Sequence, residues 1–198
     1  MQDIAERYAH NTYNLRRKVF TIAGAKFHIY DEAGNLTLFA KLKAFKIKED
    51  IRIYADEQMT QELLAIRTKS VFDISGTYDV YDAVDQQTVG ALRRKGLKSM
   101  IRDEWLILDA EGKEIGLIKE DSGLKALIRR VIEVPSYLMP QKFHAEVGGR
   151  AVATYKQNFN PFVQRIAIDF TQDTANQFDA RLGLAAAVLL CAIEGKQN

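Results

Sequence analysis

Apolar and polar residues alternate along most of the chain. From residue 18 to residue 94 the repeat is two residues, and turn residues interrupt it at short, fairly even intervals. A two-residue period is typical of strands that have one buried side and one solvent-facing side. The pattern therefore predicts strands near residues 27–29, 36–38, 45–47, 51–53, 62–69, 77–82 and 88–94.

Two turn segments have nearly the same composition. Residues 31–35 read Asp-Glu-Ala-Gly-Asn, and residues 109–113 read Asp-Ala-Glu-Gly-Lys. Gly34 and Asn35 tolerate positive φ angles, so the first segment predicts a hairpin. The second predicts another hairpin, between residues 105–108 and 114–118. After Pro140 the alternation resumes and predicts strands at residues 142–147, 151–155 and 163–170.

One segment between these strands has a helical period instead. Ser122 suits a helix N-cap and Pro135 ends the pattern, while basic and acidic side chains occupy the opposite face. The apolar residues that fall on one helical face are Leu124, Leu127, Ile128, Val131 and Ile132. Residues 122–134 are therefore predicted to form a short amphipathic surface helix.

The last predicted helix, residues 182–193, contains no polar residue and follows Asp179. A helix that is apolar on every side must be buried on every side. A bilayer span needs roughly 20 apolar residues, so this run is too short for one. The remaining arrangement is a closed barrel of about a dozen strands wrapped around the helix. We expect residues 1–198 to form one such mainly β domain.

Several segments together resemble the Tubby C-terminal-like superfamily, and within it the LURP-one-related and phospholipid-scramblase-like group. They include Tyr78-Asp79-Val80-Tyr81-Asp82, Val89-Gly90-Ala91-Leu92-Arg93-Arg94-Lys95, Arg102-Asp103-Glu104-Trp105 and Asp179-Ala180-Arg181-Leu182. The resemblance implies a twelve-stranded antiparallel barrel around a hydrophobic C-terminal helix, in agreement with the pattern. A fold does not by itself imply an activity.

Composition narrows the class of protein. The 198 residues are 47% apolar and carry a formal net charge of +2, which excludes disorder for most of the chain and gives no global attraction to nucleic acid. Cys191 is the single cysteine, and the N-terminus lacks a signal-peptide pattern. We expect a cytoplasmic protein, at most peripheral at the membrane, whose oligomeric state the sequence leaves open.

Enzyme signatures are absent from the sequence. It has no GxSxG, GxxxxGK or HExxH motif. The histidines, His10, His28 and His144, are widely separated, and Cys191 lies in the apolar helix, where a thiol behaves as a small hydrophobic group. We therefore expect a protein that is not an enzyme and uses no cofactor.

The strongest local charge is a basic run with no acid before Asp103. It consists of Arg93, Arg94, Lys95, Lys98 and Arg102. Guanidinium and ammonium groups suit phosphate oxygens, so the run predicts a site for an anionic phospholipid headgroup. The alternative is a solvated basic loop.

The family resemblance bears on the same run. Tubby domains bind phosphatidylinositol 4,5-bisphosphate through a basic-x-basic segment after a glycine, which Gly90-Ala91-Leu92-Arg93 resembles, although Ala91 replaces the first basic residue. A second basic strip, Lys41, Lys43, Lys46 and Lys48, is explained by solubility and edge protection.

Oxygen ligands of the kind that calcium prefers precede the last helix. They are Asp169, Asp173, Asn176 and Asp179. Scramblases carry a calcium-associated acidic segment in this region, but the sequence lacks EF-hand spacing. Asp179 also has an adequate role at a helix N-terminus. Calcium binding is therefore a weaker interpretation of these residues than a structural role at the start of the helix. We expect no other metal site.

These features favour a binding module for anionic phospholipid headgroups such as phosphoinositides. A scaffold for a protein partner is the alternative. Calcium-linked lipid scrambling is the third hypothesis and ranks below both. Trp105 alternates with apolar neighbours and is expected in the core. The basic residues are local and lack interleaved aromatics, so a nucleic-acid partner is not expected.

Overall fold

The computed structural model describes residues 3–18, 24–43, 50–68, 76–95, 104–121, 141–158 and 163–193. These ranges hold a single 3-10 turn (Glu6–Tyr8), twelve β-strands and one α-helix. The strands are β1 (Thr12–Lys18), β2 (Gly24–Tyr30), β3 (Leu36–Lys43), β4 (Asp50–Tyr54), β5 (Glu62–Thr68), β6 (Thr77–Asp82), β7 (Gln87–Arg94), β8 (Glu104–Leu108), β9 (Glu114–Glu120), β10 (Gln141–Val147), β11 (Arg150–Asn158) and β12 (Val163–Asp169). The helix is α1 (Ala180–Ile193).

The strands form a closed antiparallel barrel. Each strand pairs with its neighbours in the sequence, and β1 also pairs with β12 along seven positions, from Thr12 opposite Asp169 to Lys18 opposite Val163. Closure leaves no strand edge open for pairing with another chain. The predicted barrel is confirmed, as are the strands predicted within the described residues. The strand near 45–47 and the amphipathic helix at 122–134 lie outside them.

The alternation did not predict β1, the strand that closes the barrel. Its inward-facing positions are Tyr13, Leu15 and Arg17, so a charged residue interrupts the apolar repeat. One N–H group of the Arg17 guanidinium is bound from inside the barrel, where Nη1 donates to the carbonyl oxygen of Cys191 at 2.7 Å. This bond belongs to the tertiary structure, so the local sequence pattern could not predict it.

The helix α1 fills the barrel interior, as its composition predicts. Every residue from Leu182 to Ala192 is buried. Asp179 caps the N-terminus, because its Oδ1 accepts the backbone N–H of Arg181 at 2.8 Å. The wall contacts the helix backbone through Tyr155, whose hydroxyl donates to the carbonyl of Gly183 at 3.1 Å. The helix begins at Ala180, slightly earlier than the apolar run predicts.

The two hairpin turns share one hydrogen-bond pattern. The N–H of Asn35 donates to Asp31 Oδ1 at 2.8 Å, and the N–H of Lys113 donates to Asp109 Oδ1 at 2.8 Å. Gly34 and Gly112 have φ angles of 86° and 84° at equivalent positions. A side chain on another residue type would strain this left-handed backbone, which explains the similar sequences.

Apolar residues form a large cluster inside the barrel and a small one outside it. The inner cluster includes Trp105, which is 2% exposed. The outer cluster consists of Ala91 on β7 with Leu106 and Leu108 on β8, and Leu117 on β9 packs against it. The core position predicted for Trp105 is confirmed.

Gly183 tests how closely α1 fits the barrel. A methyl group there would lie 2.6 Å from Phe170 Cε1 and 3.0 Å from Phe178 Cε1. We predict that Gly183→Ala lowers the free energy of unfolding by about 1–3 kcal/mol through overpacking, although alanine is the better helix former. Urea denaturation of the Gly183→Ala, Phe170→Leu and double variants measures this change in the free energy of unfolding. The cost should shrink when Phe170→Leu makes room, and a Gly183→Ala variant as stable as the parent would contradict the close fit.

Candidate functional site

The register of β7 divides the predicted basic run between two faces of the sheet. Arg93 and Lys95 lie on the outer face, in line with Ala91, whereas Arg94 is on the inner face opposite Trp105. Lys95 Nζ lies 3.3 Å from Glu104, so part of its charge is offset. The remaining members, Lys98 and Arg102, lie outside the described residues.

The glycine of the Gly90-Ala91-Leu92-Arg93 segment has a packing role. A methyl group at Gly90 would lie 2.4 Å from the Leu108 carbonyl oxygen and 3.1 Å from Leu182 Cδ2 on α1. Glycine is therefore required for β7 to approach both β8 and the helix. Ala91 is 5% exposed within the outer apolar cluster. Of this segment, Arg93 is the residue with a cationic side chain on the outer face.

A larger set of basic residues comes together on the opposite side of the barrel. Six consecutive strands, β10, β11, β12, β1, β2 and β3, each place one cation on the outer face, within two residues of the strand end beside the C-terminus of α1. We call this set the basic belt: Lys142, Lys156, Arg165, Arg16, Lys26 and Lys41. Its members are far apart in the sequence, and no basic run contains more than one of them, since Arg16 precedes Arg17 and Lys18 while Lys41 begins the second basic strip.

The belt contains three pairs of like charges directly opposite each other on neighbouring strands. The register joins Lys142 to Lys156, Arg165 to Arg16, and Lys26 to Lys41. Like charges in directly opposite positions destabilise a sheet. No belt residue forms an ion pair with a carboxylate of the described residues, although Arg16 lies over the Tyr30 ring at 4.7 Å. Within the described ranges, no carboxylate therefore neutralises the positive charge of the belt.

Two cations elsewhere on the barrel wall, on β4 and β9, are neutralised. Arg52 on β4 is bound by both Asp50 and Glu62, and Lys119 on β9 lies 2.6 Å from Glu146. Of the second predicted basic strip, Lys41 belongs to the belt and Lys43 ends β3, while Lys46 and Lys48 lie outside the described residues. Among the described residues, the largest set of outward-facing cations without an ion-pair partner is thus on the β10 to β3 side.

The opposite end of the barrel is acidic. Its turns and the approach to α1 carry carboxylates that accept backbone N–H groups: Asp31, Asp56, Asp82, Asp109, Asp169, Asp173 and Asp179. The pKa of Asp56 is held below its ordinary value by hydrogen bonds from the Thr60 hydroxyl and backbone N–H. The aspartates that accept backbone N–H groups therefore lie near the N-terminus of α1 and the basic belt lies near its C-terminus, as the helix dipole favours.

The oxygen ligands predicted for calcium lie at this acidic end. Asp169 accepts the N–H of Thr171, and Asp173 accepts the N–H groups of Gln177 and Phe178. Asp179 pairs with Arg181, with Nη2 and Oδ2 2.6 Å apart. Within the described ranges, no group of three or more histidine, cysteine, aspartate or glutamate side chains is arranged to hold a metal ion.

The histidines and the cysteine lie in separate environments. Each histidine faces a different carboxylate: His10 faces Glu32 at 3.4 Å, His28 faces Glu57 at 2.8 Å and His144 faces Asp121 at 3.4 Å. Burial raises the pKa of the Cys191 thiol to about 12, which leaves it protonated and unreactive at neutral pH.

Comparison with known proteins agrees with the architecture. A family model described as LURP-one-related matches residues 36–191, from β3 almost to the end of α1. No curated protein matches the chain. Within the described part of the chain, no helix combines the length and apolar character that a membrane crossing requires.

The ion pair of Asp82 with Arg181 gives stability a defined pH dependence. Burial raises the pKa of Asp82, but N–H groups of Asp85 and Val84 and the Arg181 guanidinium, 2.7 Å away, together hold it below its ordinary value. The stabilising contribution is therefore complete above the unfolded-state pKa and is lost as pH falls through the folded-state pKa. We predict that Asp82→Asn costs about 1.5–3 kcal/mol at pH 7 and progressively less below about pH 4.

Urea denaturation at pH 7 and pH 3 measures this difference. Asp85→Asn is the matched control, because Asp85 lies 3.9 Å from Arg181 and its side chain is 59% exposed. An exposed pair contributes little, so this variant should change stability by less than about 1 kcal/mol at either pH. If Asp82→Asn and Asp85→Asn lowered the free energy of unfolding equally, the pH-dependent stability could not be assigned to the ion pair of Asp82 with Arg181.

Proposed function

The chain belongs to the LURP-one-related family, and we propose that its barrel is a non-enzymatic module that binds the headgroups of anionic phospholipids, such as phosphoinositides. The basic belt carries this proposal. Three directly opposed pairs of like charges destabilise the folded protein unless an anion lies between them. Phosphate groups at a membrane surface supply such anions at high local density.

The charge separation along the barrel supports a defined orientation on the membrane. A cation near an anionic leaflet contributes about 1 kcal/mol, within a Debye length of roughly 10 Å at 0.1 M salt. The belt side would be attracted to the surface, and the carboxylates near the N-terminus of α1 would be repelled. The barrel would therefore bind as a peripheral protein, with α1 still enclosed by the strands.

The belt and the basic run would contribute unequally. Arg93 is on the outer face with no ion-pair partner among the described residues, but Lys95 is offset by Glu104 and Arg94 is on the inner face. Belt residues, in contrast, all face outward on adjacent strands. Headgroup binding would depend mainly on the belt, with Arg93 as a secondary contact.

Paired substitutions in the belt test the proposal. We predict that Lys26→Ala with Lys41→Ala lowers the affinity for vesicles containing phosphatidylinositol 4,5-bisphosphate by about tenfold or more, from the loss of two surface cations. Removing an opposed pair of like charges should leave the unfolding midpoint unchanged or raised. Liposome co-sedimentation at several salt concentrations measures the affinity.

Two further pairs separate the belt from general charge effects. Lys113→Ala with Arg150→Ala removes the same net charge from exposed positions at the acidic end and should change vesicle binding little. Arg93→Ala with Lys95→Ala should give an intermediate loss. Equal recovery of the parent protein with neutral and anionic vesicles would overturn the proposal and favour a protein-partner role.

A further inference from the structure

The inner wall behind the basic belt carries a row of polar side chains where apolar ones are expected. Gln141 on β10, Gln157 on β11, Gln164 on β12 and Arg17 on β1 all occupy inward-facing positions beside the C-terminus of α1. We call these four residues the inner polar arc. They lie on consecutive strands, with Gln141 directly opposite Gln157 and Gln164 directly opposite Arg17.

Two acceptors of the arc are buried without a donor among the described residues. Gln157 is 6% exposed, and its Oε1 has no hydrogen-bond partner. Gln141 Oε1 is also buried and unpartnered. Directly opposite residues have Cβ atoms about 5 Å apart, so both oxygens can reach one donor group. Buried polar groups are nearly always satisfied, so an unsatisfied pair of this kind calls for donors from outside the described residues.

The surroundings of these oxygens favour a cationic donor. Glu120 on β9 faces inward, is 8% exposed and lies diagonally across from Gln141, so a carboxylate that has a partner of its own lies near these oxygens. The C-terminus of α1 contributes the negative end of the helix dipole. A primary ammonium group combines a positive charge with three N–H donors, which matches two amide oxygens beside a carboxylate.

The other end of the arc offers the opposite chemistry. Arg17 uses Nη1 for the Cys191 carbonyl, but its buried Nε–H has no acceptor in the part of the chain that the structure describes. A phosphate oxygen would accept this proton in a charge-assisted hydrogen bond. Strands β11 and β1 are two strand spacings apart, about 10 Å at the backbone. Their inward-pointing side chains converge, so the distance between the side-chain ends is shorter than this.

We propose that the inner polar arc binds a small zwitterion in which a primary ammonium lies a few bonds from a phosphate. Gln141 and Gln157 accept from the ammonium, and Arg17 binds the phosphate. This site is inside the wall and does not depend on the function proposed for the outer belt. Its ligand is either a free phosphoamine or the headgroup of an aminophospholipid, which share this chemistry.

The arc makes an unusual prediction for the ligand-free protein. Replacing a buried, unpartnered amide by an apolar side chain of similar size removes an uncompensated polar group. Gln157→Leu should therefore leave the thermal midpoint of the free protein unchanged or raised, while weakening the binding of phosphoethanolamine about tenfold or more. If Gln157 had only a structural role, its replacement would lower the thermal midpoint together with the affinity for phosphoethanolamine.

Calorimetric titration with three soluble probes tests the site. Phosphoethanolamine should bind saturably, phosphocholine should bind at least about tenfold more weakly because its quaternary nitrogen has no N–H donor, and inorganic phosphate should behave like phosphocholine. Gln87→Leu is the matched control, since Gln87 is an exposed strand glutamine on β7. It should leave all three affinities unchanged.

Three outcomes would overturn the proposal: no saturable binding of phosphoethanolamine, equal binding of phosphocholine, or undiminished binding by Gln157→Leu. Neutral vesicles of phosphatidylethanolamine and phosphatidylcholine distinguish the two sources of the ligand. Recruitment that requires phosphatidylethanolamine and is lost in Gln157→Leu identifies a lipid headgroup, whereas binding of the soluble probe alone identifies a free metabolite. The Lys26→Ala, Lys41→Ala variant alters only the outer belt, so it should still bind soluble phosphoethanolamine. The belt proposal and the inner-arc proposal can therefore fail independently of each other.

Discussion

The architecture depends on covering a helix that has no polar face. From Leu182 to Ala192, α1 presents apolar groups in every direction, so an ordinary two-layer packing would leave one side in water. Twelve strands that close on themselves cover all of its sides. Closure in turn requires β1, whose pairing with both β2 and β12 completes the wall.

The enclosed helix also organises the charges of the barrel. Its positive N-terminal end lies among carboxylates such as Asp179 and Asp82, while its C-terminal carbonyl at Cys191 is bound by Arg17. The same axis separates the acidic turns from the basic belt. The dipole of α1 is thus matched by carboxylates at its N-terminus and by cations at its C-terminus. The cations of the basic belt leave that side of the protein suited to binding anions.

Much of the candidate site was hidden in the sequence. The basic run at Arg93 to Lys95 is contiguous and easily found, yet strand alternation sends its members to opposite faces. Lys26 is isolated in the sequence and Lys41 belongs to a basic strip that solubility and edge protection explain, but the register of β2 and β3 makes the two residues neighbours. Local runs of charge are a poor guide in a sheet, because neighbours across strands are set by pairing and not by sequence distance.

The sequence by itself determined the fold class, because two local patterns are decisive: a two-residue apolar period and a final helix too apolar for a surface and too short for a bilayer. The two hairpin turns followed from Gly34 and Gly112 in the same way. Only the tertiary structure decided where β1 pairs, which cations share the belt and which glutamines face the interior. Those properties arise from register and closure, which join residues far apart in the chain and leave no periodic signal along it.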